Sequence, residues 1–405
     1  MFKENIGENR LLAYINLPKR IWCFFGASII MNSGNFIFTF IVLFLSSEFD
    51  LNISSNGLIL SIVMLSYIPT SIIGGIIADK YNKKFNLIIL RGLSAISLIG
   101  IVLVDIEVMK MIFLIFAFIL VGLSKPSNDS IVLEMTSESE KRIAYSLIYI
   151  GNNIGSIISP ILAGILFKNI NYLIVFDALS TISAMIIIWI FVDFRYENIN
   201  SNNSRPSIGG YSTLIKNKVL IWSSLIIIGL AFCYSQQQFS LPLYMETIFN
   251  ENTPRYYGFI IGINSLVVVA FTTIINRITK NISSIVNLII SGGFFAIGFG
   301  LIYFSKSFFT FIVLTFIWSI GEVLFSINTY LYITETVSNE FIGRTSSIVV
   351  IIYSLGNFIG AILSGFIIEN FSPNIIWIII LIISIISSIL LIFIRKKTKI
   401  GEEMT

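Results

Sequence analysis

The sequence has no histidine among its 405 residues, only two cysteines, and charged side chains at just 12% of positions. Without imidazole, histidine catalysis, histidine metal ligation and histidine proton relays are all excluded, so a proton carried near neutral pH must ride mainly on a carboxylate. Cys23 and Cys233 both fall inside apolar runs, which excludes a disulfide framework and a cysteine metal site. The chain also lacks a glycine-rich phosphate-binding loop, a metal-ligand cluster, a nucleophile-plus-base arrangement and any stretch long enough for a soluble domain. An ATP-driven pump or a membrane enzyme is therefore not expected, and no cofactor is.

What is present is apolar: 56% of residues are hydrophobic, and mean hydropathy is +0.90. That composition belongs to a polytopic membrane protein. The formal net charge of +4 does not point to nucleic acid, because the basic residues sit in short loops between apolar runs rather than on one face. A spanning helix needs about 20 apolar residues. By that criterion the sequence predicts twelve spans, near 21–47, 55–78, 85–105, 111–131, 143–167, 172–194, 218–245, 256–277, 283–304, 308–331, 345–368 and 373–395. With both termini inside, the cytoplasmic segments hold about 21 of the 26 Lys and Arg residues. The outer loops hold only Lys110, Lys168, Arg255 and Lys306, and Lys125 lies within a span. The asymmetry predicts cytoplasmic N- and C-termini. The first apolar run, after Lys19-Arg20, continues past twenty residues with no small-residue cleavage site, so it reads as an uncleaved span.

The polar break from Arg195 to Lys218 carries Asn200 through Pro206 and the pair Gly209-Gly210, too little apolar surface to fold alone. The expected organisation is a six-helix half over 1–194, a cytoplasmic linker over 195–217, and a second six-helix half over 218–405. A repeat supports this: Glu134 to Arg142, then Pro160 to Gly164 and Lys168 to Ile170, recur 201 residues later around Glu335, Ala361 to Gly365 and Glu369 to Phe371.

The second span ends in Gly74-Gly75-Ile76-Ile77-Ala78-Asp79-Lys80-Tyr81-Asn82-Lys83-Lys84. Small residues there allow close helix approach, and the lysines favour cytoplasmic retention. At Gly75, Ile77, Ala78, Asp79, Lys80, Lys83 and Lys84 this resembles the loop signature of the major facilitator superfamily. Asn82 stands where the family usually has glycine, asparagine also tolerating a positive φ. The resemblance implies an all-α membrane fold of twelve helices in two pseudo-symmetric halves, with a substrate path between them. It also implies a conformational switch in which Asp79 meets the start of span 11, where Arg344 supplies the positive charge. Gly151, Gly155, Ser159, Pro160, Ala163 and Gly164 in span 5 form a small-residue ladder. The ladder resembles the antiporter signature of that superfamily, which implies export; generic tight packing is the alternative reading.

Glu322 is the most informative single residue. Fourteen residues beyond Phe308, it lies roughly 21 Å along its helix, inside a hydrocarbon core about 30 Å thick. A carboxylate there must face a cavity, pair with a neighbour or take up a proton, which suits it for proton exchange unless it is a structural hydrogen-bonding group. The pair Gly321-Glu322 also resembles one seen in multidrug-exporter branches. Lys125 either offers a gating cation or snorkels to pair with Asp129 four residues on. Asp177, near the outer end of span 6, reads as a solvated end residue, although its surroundings resemble macrolide-efflux-type exporters. Asn32 and Asn35, predicted to share one helix face, together with Gln236, Gln237 and Asn264, are expected to line a substrate cavity.

The expected function is secondary active transport, with proton-coupled efflux of small amphipathic or hydrophobic compounds by alternating access in first place. The alternatives are a proton-coupled uptake symporter and a non-transporting, transporter-like sensor. The expected partners are a small-molecule substrate, protons and the lipid bilayer, with no nucleic acid, and a monomer is expected. A composition rich in Ile, Asn and Lys points to a bacterial cell membrane.

Overall fold

Inside hydrocarbon no water is available to bond free amides and carbonyls, so a crossing chain satisfies them within its own helix. The computed structural model describes residues 14–49, 51–137, 140–192, 217–337 and 345–403, and among these the regular elements are α-helices and two short 3-10 helices, with no strand. In chain order the α-helices are α1 (Lys19–Ser33), α2 (Phe36–Thr39), α3 (Ile41–Glu48), α4 (Ile53–Lys80), α5 (Lys83–Leu103), α6 (Glu107–Glu134), α7 (Lys141–Leu166) and α8 (Ile170–Phe191). They continue with α9 (Lys218–Ser235), α10 (Ser240–Phe249), α11 (Thr253–Thr279), α12 (Ser284–Gly300), α13 (Phe308–Thr336), α14 (Thr345–Asn370) and α15 (Ile375–Glu403).

Ten segments of the described chain are long and apolar enough to cross a membrane, and one of them, Lys218–Thr279, runs for 62 residues. That segment holds two crossings, α9 with α10 and then α11. The first crossing is absent from the ten because it is broken into α1, α2 and α3. These two adjustments bring the count to the expected twelve, and the chain is an all-helical, multi-pass membrane protein.

Both breaks have local causes. At the first, α1 ends at Ser33 and the amide of Phe36 turns back to the carbonyl of Gly34 at 2.7 Å. Gly34 has no side chain to hold α8 away, and a Cβ there would collide with Ser180. Asn32 is therefore helical and Asn35 is not, so the predicted shared helix face does not exist. At the second, Gln236 to Gln238 form turns between α9 and α10. Asn82 keeps a negative φ of −59° and serves as the N-cap of α5, accepting from the amides of Lys84 and Phe85. Its role is therefore capping rather than a left-handed turn.

The helices gather into two units. The first holds α1, α2, the 66–80 part of α4, and α5 to α8; the second holds α3, the 53–65 part of α4, and α9 to α15. The linker expected at 195–217 lies, apart from Asn217, outside the described residues. In the first unit, Ile21, Phe24 and Ala27 of α1 pack with Ala144 and Leu147 of α7 and with Ala184 and Met185 of α8. In the second, Val323 and Leu324 of α13 pack on Ile275 of α11. The repeat reaches into the geometry: α5 and α6 begin at Lys83 and Glu107, and α12 and α13 begin 201 residues later, at Ser284 and Phe308. Buried Asn86 donates to Ser127 Oγ at 2.6 Å across the first pair, and Asn287 donates to Asn328 Oδ1 at 3.0 Å across the second.

Candidate functional site

Glu322 sits midway along α13, a 29-residue helix that starts where Ser307 accepts from the amide of Thr310. The side chain is half-buried and held from two other helices. Tyr234 of α9 donates its hydroxyl to Glu322 Oε1 at 2.7 Å, and Asn264 of α11 donates to Oε2 at 2.6 Å. Asn264 also donates to Ser319 Oγ at 3.0 Å, and Ser319 in turn donates to the carbonyl of Thr315. The Tyr234 ring lies stacked on Phe295, with Phe325 and Tyr353 closing around it. Among the described residues no basic side chain is within ion-pair distance of Glu322. A carboxylate held only by neutral donors gains a proton without stranding a buried cation, unlike one locked in a salt bridge.

The other second-unit candidates are placed differently. Gln236 is fully buried at the break, where its Oε1 accepts from Ser240 at 2.5 Å and from Ser364 at 2.8 Å. Its Nε2 donates to the Phe232 carbonyl and to Ser235 Oγ, so every polar atom of the amide braces the broken span. Gln237 is half-buried, and its carbonyl accepts from Tyr257 at 3.2 Å.

Within the first unit a cavity of about 360 Å³ brings together Asn32, Asn35 and Lys125 of the predicted set. Asn32 donates to Asn152 Oδ1 at 3.0 Å, across to α7. Lys125 reaches Asp129 at 3.7 Å, with both side chains at least half exposed. Four further ionisable residues line the same cavity: Tyr67, Arg91, Asp129 and Asp177. Asp177 is not a solvated end residue, being 7% exposed and accepting the amide of Ile37 at 3.1 Å, an amide freed by the break in the first span. Arg91 is the residue that sequence reasoning missed. It falls inside the predicted span 85–105 yet is among the 21 basic residues taken as cytoplasmic, and it lies in α5, eight residues beyond Lys83, or about 12 Å along the helix. A guanidinium inside an apolar run was the signal available.

The small-residue ladder packs as its spacing requires. A Cβ at Gly151 would lie 2.8 Å from the Phe25 ring, and one at Gly155 would lie 2.5 Å from Asn32 Cβ, so α7 touches α1 almost backbone to backbone. Ser159 and Gly164 are buried, and Pro160 lies inside α7. In the loop, Gly74 is pressed against the backbone of Leu123, whereas a Cβ at Gly75 would meet open space. Lys80 lies 5.8 Å from the Tyr81 ring. Lys84 donates to the carbonyl of Trp189 at 2.9 Å, capping the last turn of α8, and Lys83 is half-buried. The side chain of Asp79, and Arg344 altogether, lie outside the described residues.

The sequence profile of the Major Facilitator Superfamily matches residues 23–298 and 250–403. The chain is similar to the uncharacterized MFS-type transporter YqjV of Bacillus subtilis (strain 168), at 23% identity over 83% of this chain and 82% of that protein. It is also similar to the uncharacterized MFS-type transporter YdeE of Escherichia coli (strain K12), at 24% identity over 87% and 89% of the two chains. In fold it is similar to the crystal structure of nucleoside transporter NupG, with a TM-score of 0.79 at 16% identity, covering 94% of this chain and 100% of that one.

Proposed function

We propose, from the premise that this chain belongs to the Major Facilitator Superfamily, that it is a proton-coupled secondary transporter that exports small amphipathic compounds by alternating access. The reading places it in a cell membrane with both termini cytoplasmic, working through halves 1–194 and 218–405 joined by the linker 195–217. The observation that carries it is the Glu322 carboxylate in mid-helix, held by Tyr234 and Asn264 and by no cation among the described residues. In a chain without histidine, that group has both the position and the neutral surroundings for exchanging a proton. When Glu322 takes up the proton, the protonated oxygen becomes a donor and a poorer acceptor, which weakens the bond it receives, from Tyr234 at Oε1 or from Asn264 at Oε2, and the three-helix clamp of α9, α11 and α13 loosens. That weakening is the proposed link between proton binding and helix movement. Export is supported by the tight α7 face at Gly151, Gly155, Ser159, Pro160 and Gly164, and the switch is assigned to Gly75, Asp79, Lys80, Lys83, Lys84 and Arg344.

The test is made in proteoliposomes, with compounds taken from a growth screen of an overexpressing strain. Wild type and Glu322→Asp should show compound-driven proton flux, and Glu322→Gln should lose gradient-driven accumulation while keeping exchange without a gradient. Gradient-driven accumulation at wild-type level in Glu322→Gln makes the residue structural. Net flux into the cell, measured with inverted vesicles, replaces export by uptake.

A further inference from the structure

We propose that Arg91 is the anchor for an oxyanion, a carboxylate or phosphonate, on the transported compound, so that the first-unit cavity takes organic anions with a small apolar body. The inference rests on the transport reading and adds to it the class of substrate. Arg91 Nε is buried without a hydrogen-bond partner, and no carboxylate of the described residues is within ion-pair distance of the guanidinium. A guanidinium has five donors, so leaving them without direct partners in a span is costly unless something fills the cavity in front of it.

The other charged groups lining that cavity make direct contacts elsewhere, and Tyr67 is the remaining ionisable side chain in its wall. Asp177 accepts the amide of Ile37, and Lys125 is paired with Asp129. The carboxylates of Asp177 and Asp129 act on Arg91 through space, but neither is within ion-pair distance, so the donors of the guanidinium stay open to a ligand. Its planar fork matches two oxygens of a carboxylate or phosphonate. Around it, Asn35 and Asn128 line the same space, the Oδ1 of Asn128 being buried without a partner, which suits a hydroxyl or N–H on the bound compound. Met31, Leu98 and Phe118 supply apolar wall. A volume of about 360 Å³ is that of a small-molecule site.

The probes are benzoate and phenylphosphonate, with neutral benzamide as the matched control, applied to the full chain in lipid nanodiscs. In wild type, phenylglyoxal modification of Arg91, followed by peptide mass mapping, should slow at least fivefold with either oxyanion at saturation and stay unchanged with benzamide. Oxyanion binding, read as thermal stabilisation, should weaken at least tenfold in Arg91→Gln and less in Arg91→Lys. Equal protection by benzamide, absence of protection by both oxyanions, or equal binding in wild type and both variants overturns the assignment. The wild-type protection decides the matter if Arg91→Gln does not fold. Loss of coupling in Glu322→Gln alongside an unprotected Arg91 sinks this inference alone, and a protected Arg91 alongside full coupling in Glu322→Gln sinks the proton reading alone.

Discussion

Gly155→Ala adds a single methyl group to α7, and the structure says where it goes. The new Cβ would lie 2.5 Å from Asn32 Cβ and 2.9 Å from both the Ile29 carbonyl oxygen and the Ser33 nitrogen, against 3.4 Å or more for an ordinary contact. Two of those three atoms are backbone, so no side chain can swing aside and α1 must retreat by most of an ångström. Overpacking of this kind costs about 1–3 kcal/mol. Alanine regains about 0.5–1 kcal/mol over glycine inside a helix. Gly75→Ala supplies the control, because its Cβ meets nothing within 4 Å and it collects the helical gain alone. The two variants should therefore differ by roughly 1–3 kcal/mol, Gly155→Ala being the less stable, in equilibrium unfolding in mixed micelles. Gly155→Ala should also lose transport, since the retreat pulls on the 3.0 Å bond from Asn32 to Asn152 in the cavity wall. Equal stability of the two variants would refute the account of the ladder as a close-packed face.

Two further outcomes follow from the loop and the linker. Asp79→Asn should impair transport while leaving expression and compound binding largely intact, measured as uptake into vesicles against thermal stabilisation by the compound; normal transport removes Asp79 from the switch. In a background lacking Cys23 and Cys233, Ser204→Cys should react with an impermeant maleimide only from the cytoplasm and Asn252→Cys only from outside, and labelling of both from one side overturns the topology.

The spans were legible because one local quantity, a run of about 20 apolar residues, decides them. The breaks were not, because their determinants are distant: Gly34 yields to Ser180, and Gln236 is tied to Ser364, a partner 128 residues away. Glu322 stood out as a lone acid deep in a span, and Asn264 as a polar residue at mid-depth. That Asn264 donates to Glu322 depends on the packing of α11 on α13, which no local pattern encodes. Asp177 was misjudged for the same reason, since its burial depends on an amide exposed by a break 140 residues earlier. Arg91 was overlooked despite a local signal, because its proximity to Lys83 and Lys84 drew it into the cytoplasmic count.

The 201-residue repeat distinguishes paired structural contacts from residues that stand in one unit alone. Positions 201 residues apart share the polar brace: Asn86 with Ser127 in one unit and Asn287 with Asn328 in the other, on helices that start in register. A buried hydrogen bond between neighbouring spans fixes their depth and rotation, and both units need that equally. The ionisable residues within the spans obey no such symmetry. Arg91 has Gly292 as its counterpart, Asp177 has Ile378, and Glu322 has Val121. A charge placed inside a span is costly wherever it stands, so a group serving only to hold the fold has reason to recur in both units or in neither. One unit instead keeps a carboxylate on neutral donors, and the other keeps a guanidinium in a cavity wall with its Nε unpartnered. The proposed division of labour, a proton in one unit and an anion in the other, rests on that asymmetry.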